Sequence, residues 1–239
     1  MARTVTDMAS IRSNAIAFLY VDIRETKIPF VASHPFTSTW TWFSRSNLDG
    51  IKDLHDEDAQ AEWRSALREQ IEKCNLLHLF MMMNPPYILN FLKFSAEYMN
   101  SEDLGKILGE FWVMIEQISL DDSITGKDIV AWFKRADKKT LMDEEEREVF
   151  ANLPEEVTIY RGVTDHNKSR KKAFSWSTDR KVAEWFADRF QTGTGEVWTL
   201  TVPKERILCS FEGRNEHEVI VNLYGFDGKP TIEKIKSSR

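Results

Sequence analysis

Cysteine is scarce in this chain of 239 residues. There are two, Cys74 and Cys209, far apart and each in a segment that reads as buried. That spacing argues against a disulfide scaffold and for a reducing, cytoplasmic setting. Long hydrophobic runs are missing as well. No stretch approaches the roughly 18 apolar residues that a membrane-spanning helix needs, and Phe80-Met81-Met82-Met83 is cut off by Asn84-Pro85-Pro86. The first residues lack a basic-then-apolar export pattern, so no signal peptide is expected. The five histidines, His34, His55, His78, His166 and His217, are scattered without metal-ligand spacing, and no metal is expected. Repeats and low-complexity tracts are absent.

An excess of positive charge is the last thing the chain lacks. Its formal charge is −6, from 32 Lys and Arg against 38 Asp and Glu. Residues 121–239 hold 21 of those cations and 22 of those anions, leaving 11 and 16 in the first 120, so the acidity sits in the N-terminal half. Such a balance favours protein substrates over nonspecific nucleic-acid binding.

What is present suffices for a globular fold. With 42% hydrophobic and 12% aromatic residues, the chain can bury one large core or two small ones. Ala15–Val21, Ile28–Ala32 and Trp40–Phe43 read as strand-like pieces, with Pro29 marking an edge. From Asp56 the period changes: Ala59, Trp63, Leu67, Ile71 and Cys74 recur every three or four residues and predict an amphipathic helix. Pro85-Pro86 breaks the chain. Helical patterns follow over Tyr87–Met99, Leu104–Ile118, Asp128–Ala136 and Asp143–Asn152, and Leu153-Pro154 closes the series. Beyond it come short β-branched and aromatic runs at Val157–Tyr160, Ala173–Ser177, Glu196–Val202, Arg206–Phe211 and Glu218–Leu223. Gly193-Thr194-Gly195 is read as a turn, Asp227-Gly228 as a hairpin turn and Thr231–Ile235 as a final edge strand. One helix interrupts the strands, capped by Thr178 or Asp179, with Val182, Phe186 and Phe190 on one face and Ala183 and Ala187 beside it. Trp185 and Phe186 on that helix are read as core residues.

Three short signals lie on or beside these strands: Tyr160-Arg161-Gly162, Phe174-Ser175-Trp176-Ser177-Thr178, and Glu216-His217-Glu218 before Val219-Ile220-Val221. Each alone has an ordinary reading as an ion-paired arginine, a half-exposed strand or a solvated loop. Together they can bring a guanidinium, two hydroxyls and two carboxylates into one cleft. Guanidinium matches phosphate with two parallel donors, and Gly162 allows close approach of the backbone. The period of two places Ser175 and Ser177 on one strand face. A fixed carboxylate stabilises a cationic sugar that forms only in the transition state. A basic run, Lys168, Arg170, Lys171 and Lys172, precedes the serine strand and is either a solvated loop or a contact for phosphates or nucleic acid.

The order Arg, Ser-x-Ser, Glu-x-Glu resembles the R-S-E signature of the mono-ADP-ribosyltransferases that use NAD. The resemblance covers roughly the last third of the chain, from Leu153-Pro154 through Leu223, and includes Ala183-Glu184-Trp185-Phe186-Ala187. It extends to the phage and prophage members, whose transferase core follows a helical stretch. It implies an α+β protein, with a mainly helical N-terminal region (1–120) of unknown role and a two-sheet, mostly antiparallel transferase-type β core (121–239). NAD would be the co-substrate, without metal, contacting Arg161, Tyr160, Gly162, Ser175, Ser177 and Thr178. Glu218 would be the catalytic acid on the nicotinamide ribose, and Glu216 would orient or deprotonate the acceptor. The family's first serine steadies the catalytic glutamate. Ser175 takes that place in one register and Ser177 in the other. Glutamate rather than glutamine at position 216 implies arginine on a target protein as acceptor, in a bacterial or host-cell cytoplasm. Two rival readings stay open: the same chemistry on a DNA or RNA base, as in a toxin or phage-defence enzyme, and an inactive fold serving as a binding module. The acidic helices could dock an antitoxin or host protein.

Overall fold

In a computed structural model the chain divides into two compact units, Met1–Ala136 and Asp137–Arg239. The structure describes residues 3–44, 50–115, 124–165, 167, 173–189 and 195–235. Among them no helix is long and apolar enough to cross a membrane.

The first unit opens with α1 (Met8–Leu19), whose N-cap Asp7 accepts the Ser10 amide. Ile11, Ala15 and Leu19 recur every fourth residue and are buried, so the apolar run at 15–21 is mostly helix rather than the expected strand. A capped four-residue period overrides the β-like composition. Two short antiparallel ribbons follow, β1 (Arg24–Glu25) with β2 (Ala32–Ser33) and β3 (Thr41–Phe43) with β4 (Ile51–Asp53). The strand expected over Ile28–Ala32 shrinks to its last residue, because Phe30 turns the chain with φ of 63°. Then come α2 (Glu57–Lys73), α3 (Leu76–Met81), α4 (Ile88–Ser95), α5 (Ser101–Trp112) and α6 (Gly126–Arg135). A Thr125–Asp128 capping box starts α6. This helix belongs to the first unit, where Phe133 packs edge-on against Trp112 at 4.8 Å.

The second unit begins with α7 (Lys138–Leu141) and α8 (Glu144–Asn152), followed by β5 (Glu156–Val163), β6 (Ser175–Ser177), α9 (Arg180–Asp188), β7 (Glu196–Pro203), β8 (Ile207–Phe211), β9 (Glu218–Val221) and β10 (Thr231–Lys234). The six strands pair in the order β10-β7-β5-β6-β9-β8, and every pairing is antiparallel. The protein is therefore α+β with antiparallel sheets. β5 and β7 share eight residue pairs, whereas β5 and β6 meet only at Tyr160↔Ser177. The sheet thus consists of two three-stranded halves joined at one point. Both halves feed one apolar cluster, with Val157, Ile159 and Leu200 from one side and Trp176, Val219 and Val221 from the other.

On the opposite face α9 lies close against β5 and β7. A Cβ on Gly162 would sit 2.3 Å from the Ala183 carbonyl oxygen, and one on Gly195 would sit 2.2 Å from that of Ala187. Only Ala183 and Ala187 of α9 are buried at this tight contact. This corrects the expected Val182–Phe186–Phe190 face, of which Phe190 lies outside the described residues. It also corrects Trp185, which is 59% exposed rather than core. After β9 the chain turns at Tyr224-Gly225, where Gly225 has φ of 68°, and not at Asp227-Gly228. The final strand β10 then pairs with β7 as an edge.

Candidate active site

β5, β6 and β9 are consecutive neighbours although many residues separate them in sequence. Their register sets Tyr160 opposite Ser177, and Ser177 opposite Glu218. Directly paired residues share a sheet face, so an aromatic hydroxyl, a serine and a carboxylate form one cross-strand row. Ser175 stands two residues along the same face, half-buried and opposite Ile220.

Arg161 takes the other face of β5, with Ile159 and Val163. It is half-buried, and Nη1 donates to the Ser175 carbonyl at 2.5 Å. The guanidinium therefore braces the joint where backbone pairing between the two halves stops. Tyr160 packs toward Ala183, Ala187 and Val197. Gly162 sits beneath α9, and that close approach explains why no side chain is tolerated there.

Ser175 and Ser177 differ in their surroundings. Ser177 is 6% exposed; its Oγ donates to the Glu216 carbonyl at 2.8 Å and accepts the Asp179 amide at 3.0 Å. The Thr178 amide donates to the His217 carbonyl at 3.0 Å. Ser177 and Thr178 thus grip the turn that carries Glu216 and Glu218, both of which are half-buried. Carbonyls of successive residues in an extended strand point to opposite edges, yet here two in succession are received by the end of β6. The bend that allows this is visible at Asn215 and His217, which adopt left-handed φ of 54° and 46°. Each such residue costs on the order of 1 kcal/mol without glycine.

Sequence reasoning passed over two supports of this turn. Glu146 on α8 is 8% exposed and uses both oxygens: Oε2 accepts the Asp143 amide at 2.9 Å and Oε1 the Glu212 amide at 3.0 Å. The Ser210 hydroxyl adds a 2.8 Å bond to the Glu146 carbonyl. Glu212 in turn contacts His217 Nδ1 through Oε2 at 2.6 Å. The Asp143-x-x-Glu146 capping box was the available signal for the first; nothing local marks the second.

Nearby, Arg180 at the start of α9 holds Glu184 at 2.8 Å and Glu233 of β10 with two bonds, at 3.1 and 2.8 Å. These bonds raise the Arg180 pKa further and lower that of Glu233. Cys209 on β8 is fully buried, and loss of solvation pushes its thiol pKa well up; it and Cys74 are both free thiols. Among the described residues no group of three or more His, Cys, Asp or Glu is placed to hold a metal ion. The basic residues Lys168, Arg170, Lys171 and Lys172 lie outside the described residues. A depression of about 420 Å³ in the first unit is lined by Tyr20, Glu57, Gln60, Ala61 and Arg64, and none of the sequence-selected site residues borders it.

No protein-family profile, curated protein or solved structure matches this chain.

Proposed function

We propose that the second unit is a mono-ADP-ribosyltransferase that moves ADP-ribose from NAD to arginine on a target protein. The observation that supports this most is the convergence of three strands distant in sequence. The Arg161 strand adjoins the Ser177 strand, which adjoins the Glu218 strand. The two halves of the sheet meet through a single residue pair, and this reading puts the co-substrate along that line.

In this reading Arg161 and Thr178 hold the pyrophosphate or nicotinamide-ribose side of NAD, while Tyr160 and Gly162, on the opposite face of β5, support the strand from beneath α9. Bidentate donation suits guanidinium to that task. Gly162 contributes by the close α9 contact rather than by touching the ligand. Glu218 hydrogen-bonds the ribose hydroxyl and stabilises the positive charge that grows as the bond between ribose C1 and nicotinamide breaks. Nicotinamide leaves with the bonding electron pair. A guanidine nitrogen of the acceptor then bonds C1 and passes its proton to Glu216. That base is needed because guanidinium is otherwise protonated and a poor nucleophile. General-base help is worth about 10²–10⁴-fold, and charge stabilisation by Glu218 is the larger contribution. Ser177 holds the turn between the two carboxylates, and Ser175 supplies the carbonyl that Arg161 grips. A bacterial or phage setting, with action in a cytoplasm, follows from the same resemblance.

The test is incubation of the purified protein with labelled NAD and a bacterial lysate, beside Glu218→Gln. Label on protease-sensitive product in the wild type alone supports the proposal. Nuclease-sensitive label would move the acceptor to a nucleic-acid base. Folded wild type that neither labels nor releases nicotinamide would sink the enzyme reading in favour of a binding module.

A further inference from the structure

Between the two candidate carboxylates stands a residue that the resemblance gives no task. His217 adopts φ of 46°, a conformation that β-branched and most other L-residues resist. Its carbonyl is held by the Thr178 amide, and its imidazole Nδ1 lies 2.6 Å from Glu212 Oε2. Glu212 is itself fixed, since its amide donates to buried Glu146 and its carbonyl accepts the Asn215 amide at 2.9 Å. The turn from Glu212 to Glu218 is therefore closed at both ends, across its base by Glu212–His217 and against β6 by Ser177 and Thr178. The imidazole is 46% exposed on its side chain and the Glu212 carboxylate 14%, so the contact closes over a largely buried acceptor.

We infer that His217 is a positioning residue whose left-handed backbone and bond to Glu212 set the angle between Glu216 and Glu218. This rests on the transferase reading, in which the two carboxylates address the acceptor and the ribose of one reaction. Were residue 217 extended, the carbonyls of 216 and 217 would point to opposite edges and the grip of Ser177 or Thr178 would be lost. Displacing a catalytic carboxylate by about 1 Å lowers turnover far more than ground-state binding.

Three variants of the full chain test this, His217→Val, Glu212→Ala and His217→Asn. Their kcat and KM for nicotinamide release are measured with hydrogen exchange at the Thr178 and Glu218 amides. The expected result is a kcat lower by about tenfold in His217→Val and Glu212→Ala, with KM for NAD within about twofold and faster exchange at Thr178. His217→Asn, which tolerates the left-handed region and keeps a donor, is expected to return kcat to within about threefold of wild type. Wild-type kcat and exchange in both disruptive variants, or a loss confined to KM, would overturn the inference. If the wild type releases no nicotinamide, the transferase reading falls. The turn-closing contact then stands if exchange quickens in His217→Val and Glu212→Ala, and falls if it does not.

Discussion

The aromatic core of the first unit and the Glu212–Glu218 turn of the second treat buried polar groups differently. In the first, His34 is 1% exposed and accepts the Phe36 amide on Nδ1, but its Nε2 faces the Leu19 and Val21 carbonyls without a well-formed bond, and the buried Ser95 hydroxyl has no partner. In the second, Glu146, Ser177 and Ser210 are comparably buried and each is bonded within the framework of one turn. Leaving a polar atom unpaired in the interior costs about 1–3 kcal/mol. The first unit carries that cost inside an aromatic core. The turn has converted the same kinds of groups into supports for Glu216 and Glu218, whereas the buried Thr199 hydroxyl on β7 of the same unit stays unpaired.

The contrast can be broken most forcefully at Gly162. Gly162→Val puts a Cβ within 2.3 Å of backbone that cannot yield cheaply. The second unit should lose about 3 kcal/mol or more, read as a fall in the denaturation midpoint, whereas a neutral result would mean that α9 is not fixed against β5. The next largest effect belongs to the first unit and to pH. Burial lowers the His34 pKa from 6.5 to about 4. The unfolded chain therefore binds a proton below about pH 6.5 that the folded unit refuses until about pH 4. Stability is full above 6.5 and falls through that window by about 3 kcal/mol. Thermal melts between pH 7 and 4, with the His34 titration followed by NMR, check the sign.

Ser177→Ala ranks third. It should cost about 1–2 kcal/mol and lower kcat for nicotinamide release without raising KM. Ser175→Ala, whose carbonyl rather than hydroxyl is engaged by Arg161, should do less. Equal losses at both serines would contradict the register. The smallest effect is expected at the half-exposed Arg180–Glu233 pair. Arg180→Ala should lower the melting midpoint only slightly and only at low salt, a measurement made by repeating the melt in about 0.5 M salt.

The fold was legible where the signal is local. The spacing of Ala59, Trp63, Leu67 and Ile71 announced α2, and β-branched runs located every strand of the six-stranded sheet. Ala15–Val21 misled because its composition is strand-like while Asp7, eight residues upstream of Ala15, supplies the cap that commits it to helix. The strand order could not be read, since placing β6 between β5 and β9 depends on pairings across many residues. At the candidate site the sequence marked Arg161, Ser177, Glu216 and Glu218 but left the serine register open. The Tyr160↔Ser177↔Glu218 row and the Glu216 bond, which set Ser177 apart from Ser175, depend on strand pairings that the sequence does not display. Glu146 and Glu212 stayed hidden because their roles arise from distant packing.

The bond from Arg161 to Ser175 makes this arginine part scaffold as well as the proposed ligand group. A forked head can keep one arm on a peptide oxygen while offering other donors elsewhere, whereas the ammonium of lysine is a single compact centre. Arg161→Lys, conservative in charge, would therefore force one group to serve two masters, and the seam between the halves of the sheet would loosen whenever the lysine turned toward an anion.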